Sequence, residues 1–170
     1  MTLLNLKRIK VEDMTQLWRI GFSEVSPEWK QWDAPFLNDY HPYPNEKSFI
    51  NSNLAARIMS DSVRGIFFND QIIGNVTRLW QDKEWQIGIV IYNPELRNQG
   101  LGQLALSMWI EAIYLDYPNL KHLSLITWSG NIGMIKTAES LGFQLVEKMP
   151  SLYHFQGKEY DQLKYQKDFN

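Results

Sequence analysis

The amino-acid sequence predicts a single α/β domain, a central and mostly antiparallel mixed sheet with helices on both faces. Three observations lead there. Between residues 63 and 92, short segments of alternating apolar residues follow one another across two-residue polar turns, the pattern of a β-meander. After residue 100 the apolar period lengthens to that of a helix, and helix-like and strand-like segments then alternate. No repeat, low-complexity tract or linker interrupts the 170 residues, a length that suits one core. A meander that runs into crossover helices makes a mixed sheet covered on both sides.

Leu4 to Ile9 alternates as a first strand, and Asp13 to Phe22 carries Met14, Leu17, Trp18 and Phe22 at helical spacing. Pro27 to Pro44 differs in kind, with Trp29, Trp32, Phe36, Tyr40 and Tyr43 set among four prolines, and reads as an irregular aromatic excursion. Asn45 to Ser60 reads as one helix. Val63 to Phe68 and Ile72 to Leu79 form a hairpin around Asn69-Asp70, and Glu84 to Tyr92 follows the Asp82-Lys83 turn. Leu101, Leu104, Ala105, Met108, Ala112 and Leu115 make an apolar helical stripe. His122 to Thr127 is a buried strand, and Asn131 to Leu141 is a helix stopped by Gly142. Phe143 to Glu147 returns to strand, and Leu152–Phe155 with Tyr160–Tyr165 predicts a last hairpin.

Composition narrows the function. Apolar residues make up 44% and charged residues 21%, which is globular rather than disordered. A net charge of −2 leaves no basic field for nucleic acid. The lack of cysteine excludes disulfides and cysteine nucleophiles, and His41, His122 and His154 are too scattered to predict a metal. The longest near-apolar stretch, Ile87 to Tyr92, is too short to cross a bilayer, and the first residues lack a leader pattern. A cytoplasmic protein with no membrane partner is the expectation.

The sharpest local pattern runs from Ile89 to Gly102. A buried strand ends at Asn93-Pro94, and a short loop then delivers Gly100 and Gly102 into the first turn of the amphipathic helix. First-turn amides have no partners inside the helix, and the helix dipole adds positive potential there. A pyrophosphate satisfies both, glycines let it approach the main chain, and Arg97 supplies a cation nearby. The same residues also suit a plain strand-to-helix turn. Gly100-Leu101-Gly102-Gln103-Leu104-Ala105 further fits a dinucleotide fingerprint, but the next strand lacks the acidic residue that would hold the ribose.

This arrangement resembles the GNAT superfamily of N-acetyltransferases, whose signature is filled by Arg97, Gly100 and Gly102. The resemblance extends through Leu123 to Asn131 and Leu141-Gly142-Phe143 and covers nearly the whole chain. The terminal hairpin is similar to the branch that acetylates ribosomal-protein N-terminal alanines and spermidine. What the resemblance implies is a GNAT-like sheet splayed at the cofactor site, acetyl-CoA as acyl donor, and a primary amine as acceptor, either a small molecule or a protein N-terminus. It implies main-chain pairing of the pantetheine arm with Val90 and Ile91. The pyrophosphate would meet Arg97, Asn98, Gln99, Gly100, Leu101, Gly102 and Gln103, and Ser129 and Asn131 would lie near the arm.

The catalytic groups depart from that pattern. Where the branch carries a glutamate, this chain has Gln86, which cannot act as a base. Glu84 lies two residues back on the same strand face and is the substitute candidate, with a water held by Gln86 as the other route. Where many relatives carry a tyrosine acid, this chain has Ala138. An acetyl-CoA-binding protein with little catalysis is therefore the alternative. For the acceptor, Trp29, Trp32, Asp33 and Tyr40 combine acidic and aromatic character suited to a cationic amine. The acceptor's identity and the oligomeric state stay open, a homodimer being one option.

Overall fold

The computed structural model describes residues 3–170. Seven strands are formed by Leu4–Lys7 (β1), Val63–Phe68 (β2), Gln71–Gln81 (β3), Glu84–Ile91 (β4), His122–Trp128 (β5), Gln144–Phe155 (β6) and Lys158–Asp168 (β7). They make one sheet in the order β1-β2-β3-β4-β5-β7-β6, antiparallel everywhere except between β4 and β5. Asn69-Asp70 and Asp82-Lys83 take left-handed backbone angles, the geometry of two-residue hairpin turns. Five helices accompany the strands: Met14–Leu17 (α1), Glu46–Ile50 (α2), Asn53–Ile58 (α3), Leu101–Asp116 (α4) and Ile132–Ser140 (α5).

The sheet separates two apolar clusters. On one face, Leu101, Ala105, Leu106, Trp109, Ile110 and Ile113 of α4 pack on Ile66, Ile73, Val76, Ile87, Leu123 and Leu125. The predicted stripe is rotated from this one, because Leu104 and Leu115 are exposed while Trp109, Ile110 and Ile113 turn inward. On the other face, Met14, Leu17, Phe22, Trp29, Phe49, Ala55 and Ile58 cover Val63, Phe67, Ile72 and Tyr92. The helical run from Met14 widens to a π-turn over Trp18–Phe22 before it enters the aromatic excursion.

Two expectations are corrected. The single helix over Asn45 to Ser60 is two, because Ser52 stops one and starts the next. Its hydroxyl donates to the Phe49 carbonyl at 2.6 Å and accepts from the Ala55 amide at 3.1 Å. Ser52→Ala should therefore cost about 1 kcal/mol, the usual loss of a helix N-cap, read as a lowered denaturation midpoint at unchanged activity. The C-terminal strands are also longer than predicted. Lys148 to Ser151 reads as a break, yet β6 passes through it with a register shift between Met149 and Tyr153. β6 is an edge strand, so Pro150 sacrifices no ladder bond, and Ser151 takes a positive φ while its amide donates to Asp161 at 2.9 Å.

Candidate active site

β4 and β5 pair only at Trp85↔Leu123 and Gln86↔Ser124. Beyond that point they diverge, and β4 stays paired with β3 alone, through Gly74↔Ile91. Alternate main-chain groups between Ile87 and Ile91 thus face a gap rather than a neighbouring strand. A cavity of about 440 Å³ occupies the region, lined by Ile87 to Val90 of β4 and Ile126 to Trp128 of β5.

The segment from Glu28 to Phe36 forms a strap across the mouth of this gap. On the β4 side, Glu28 is ion-paired with Arg97, whose guanidinium also donates to the Ile91 carbonyl at 2.9 Å. On the β5 side, the Trp32 carbonyl accepts from the Trp128 indole at 2.8 Å and from the Asn131 amide at 3.2 Å. Phe36 stacks on Tyr153 at 3.9 Å and meets Trp128 edge-on. The buried Trp29 donates to the Gly21 carbonyl at 2.8 Å, and Tyr40 packs edge-on against Trp29 at 5.5 Å. Burial and the nearby Glu24 charge push the Tyr40 phenol up to about 12.

Trp29, Trp32, Asp33 and Tyr40, the four acceptor candidates, all line this cavity. The Asp33 carboxylate has no hydrogen-bond partner among the described residues. Although the residue keeps solvent access, the protein atoms crowding it raise its carboxyl pKa; Lys30 opposes that rise and Asp39 adds to it. Tyr92 is buried on the wall, its hydroxyl donating to Asn75 at 2.6 Å, and burial together with the Asp33 charge drives its pKa far up. It is no acid at neutral pH.

The cofactor candidates divide. Gly100 starts α4 with φ +76°, an added Cβ there would meet nothing within 4 Å, and no side chain caps the helix. The amides of Leu101, Gly102 and Gln103 are therefore open to a ligand, and Asn98 adds a second left-handed residue to the approach. This cradle fits a pyrophosphate. Arg97 departs from expectation, because its guanidinium turns inward to Glu28 and Ile91 rather than standing free beside the loop. Gln99 donates back to the Glu95 carbonyl at 2.8 Å. Asn131 caps α5 by accepting from Met134 at 3.1 Å while reaching the strap. Ser129 is tied to β7, its hydroxyl accepting from the Asp161 amide at 2.9 Å. Val90 lines the gap, whereas the Ile91 carbonyl is already bonded to Arg97.

Glu84, the catalytic candidate, is placed apart from the cavity. It shares the face of Gly88 and Val90, as alternation requires, but sits at the closed end of the gap and is not part of the cavity wall. It is only 7% exposed, ion-paired with Lys164 and 3.2 Å from His122. Burial works to raise its carboxyl pKa, but Lys164, with Ser124 and His122 beside it, outweighs burial and holds it below the ordinary value. This carboxylate is held in a buried ion pair. Gln86 also lies outside the cavity wall, and Ala138 is fully buried in the α4-side core. Sequence reasoning missed Arg57, Thr127, Trp128 and Tyr153 as wall residues.

The comparisons with known proteins agree with this architecture. The acetyltransferase (GNAT) domain family matches residues 4–144. A probable acetyltransferase superposes with a TM-score of 0.74 at 13% identity, over 97% of this chain and 92% of its own. A putative acetyltransferase from Acinetobacter baylyi gives 0.72 at 15% identity, over 99% and 94%. A putative acetyltransferase from Salmonella typhimurium, solved with its cofactor acetyl-CoA, gives 0.68 at 16% identity, over 99% and 95%. No curated protein matches in sequence. A splayed β4–β5 pair beside an uncapped glycine helix start, within a family match spanning most of the chain, means that the protein belongs to the GNAT family and is an acetyl-CoA-dependent N-acetyltransferase.

Proposed function

We propose that the enzyme acetylates a primary amine by direct attack in a ternary complex, with the acceptor held beneath the strap. The observation that carries this reading is that one cavity is lined both by the unpaired stretch of β4 and by the acid-and-aromatic strap. Donor and acceptor can then meet without a covalent enzyme intermediate, and the absence of cysteine from the sequence accords with that.

Acetyl-CoA supplies the thioester that the amine attacks. The amides at Leu101–Gln103 would hold its pyrophosphate, and the main-chain groups of Ile87 and Ile89, which the register turns away from β3 toward the gap, would pair with its arm and hold negative charge developing on the carbonyl oxygen. An alkylamine has a pKa near ~10.4 in water, so it arrives as an ammonium ion. In this reading Asp33 takes the proton: its carboxylate lines the cavity, lacks a hydrogen-bond partner among the described residues, and has a raised pKa. An ammonium has no lone pair, so one proton must leave before attack, and Asp33 can accept it; once the nitrogen–carbon bond has formed, the nitrogen sheds its second proton to the departing thiolate or to water. Thiolate departs with little assistance, since a thiol pKa lies near ~8.5.

Both a small amine and a protein N-terminus, the acceptors of the ribosomal-protein and spermidine branch that the sequence resembles, suit the accessible cavity mouth. Thiol release from acetyl-CoA over a panel of amines, with mass spectrometry of the product, tests it. Amine-dependent release with acetylated product is the expected result; release at the rate of hydrolysis whatever the amine would refute it. Trp32 is 42% exposed at the mouth and donates to Glu28 at 2.7 Å. Trp32→Ala should raise the acceptor KM roughly two- to thirty-fold, the range of one aromatic–cation contact, with a smaller change for acetyl-CoA. Equal changes in both would make Trp32 plain packing.

A further inference from the structure

The charges lining the cavity do not all cancel internally. Lys30 and Asp39 lie 2.6 Å apart and neutralise each other. Two charged wall residues remain without an ion-pair or hydrogen-bond partner among the described residues: Asp33 on the strap and Arg57 on α3. Arg57 is exposed to solvent, and it also lines the cavity. Leu54, Arg57 and Ile58 have the i, i+3, i+4 spacing of one helix face, and all three line the cavity. Asn75 and Thr77 on β3 add neutral polar wall.

We infer that the acceptor is a small amino-acid-like zwitterion, with its amine directed to Asp33 and its carboxylate bound by Arg57. The inference rests on the reading of this cavity as the acceptor site. A guanidinium binds a carboxylate through paired charge-assisted hydrogen bonds, which an amide cannot replace. A linear polyamine would bring a second ammonium against Arg57, and a peptide N-terminus would offer a neutral amide where the anion belongs. Both are disfavoured by the same residue.

The test is a thiol-release assay with acetyl-CoA in which each standard amino acid is run beside its carboxamide and its decarboxylated amine, with spermidine as a further arm. At least one free amino acid should be used with kcat/KM about 10- to 100-fold above its amide and its amine. Arg57→Ala should erase most of that preference by raising KM for the acid, leaving kcat and the use of the amide nearly unchanged. Arg57→Lys should keep part of it. A preference for amides, decarboxylated amines or spermidine would overturn the inference, as would an equal loss on all three forms in Arg57→Ala. If calorimetry shows acetyl-CoA binding yet no amino acid is used, the zwitterion is wrong and the donor site stands. If acetyl-CoA itself fails to bind, the proposed function falls with it.

Discussion

Asp33→Asn should lower kcat by about 10²–10⁴-fold, the usual contribution of a general base. The substitution keeps size and shape and removes only the ability to accept a proton. Because the Asp33 carboxylate makes no hydrogen bond among the described residues, nothing structural should be lost, and acetyl-CoA affinity and the unfolding midpoint should stay put. The pH profile gives the second readout. The protein atoms crowding Asp33 raise its carboxyl pKa, so kcat/KM should fall as pH drops through a value above that of an ordinary aspartate, where the base becomes protonated. The variant should lack that limb and keep only the one belonging to the amine. Glu84→Gln is the matching control. It breaks a buried pair with Lys164, so it should act on stability and spare the shape of the profile. An Asp33→Asn enzyme with the parent's rate and pH profile would remove Asp33 from the chemistry and leave deprotonation to water.

The second large effect is expected at Gly100. Replacement by valine places a branched side chain in open space just where a phosphate would approach the first amides of α4. Loss of two charge-assisted hydrogen bonds, at about 1.5–3 kcal/mol each, should weaken acetyl-CoA binding on the order of 10²-fold or more by calorimetry. Valine at a φ of +76° also strains the backbone, by roughly 1–2 kcal/mol. Gly157 separates the two effects. It sits in the β6–β7 turn at φ +75°, with equally open space around a would-be Cβ. Gly157→Val should lose similar stability and no acetyl-CoA affinity. If both variants weaken acetyl-CoA alike, the pyrophosphate lies elsewhere.

The legible parts of this protein were those written in local periodicity. The hairpins of β2, β3 and β4 follow from alternation and from turn residues that tolerate left-handed angles. The start of α4 follows from two glycines after a strand end. Of the aromatic and acidic residues of the excursion, grouped by composition alone, Trp29, Trp32, Asp33, Phe36, Asp39 and Tyr40 line one cavity, whereas Glu24, Glu28 and Tyr43 do not. What stayed hidden depends on tertiary pairing. Glu84 and Asp33 are both acids near apolar residues in sequence, and only the strand order, which brings β7 and Lys164 alongside β5 near Glu84, separates the ion-paired carboxylate from the candidate base. Arg97 fits a phosphate signature until Glu28, 69 residues away, occupies it. Tyr153 reaches the cavity from beyond the irregular stretch of β6, whose register alternation cannot foretell. Arg57 looked like any helix-surface charge until its neighbours Leu54 and Ile58 were seen to line the same wall.

The strap across the gap has a thermodynamic consequence. Past Gln86 and Ser124, β4 and β5 share no ladder, and Glu28 and Trp32 connect their open ends instead. Those anchors belong to both half-sites: Arg97 adjoins the loop where the donor would sit, and Trp32 belongs to the acceptor wall. Restraining the strap from either side takes conformational freedom from it, and the ligand that arrives second has less left to remove. The free energy of that coupling is a property of the ternary complex. Whatever factor an acceptor adds to the affinity for acetyl-CoA, acetyl-CoA must add to the affinity for the acceptor. In the proposed ternary complex, two substrates held against one short bridge would favour having both over having either, and the donor would be least exposed to idle hydrolysis when an amine is there to receive its acetyl group.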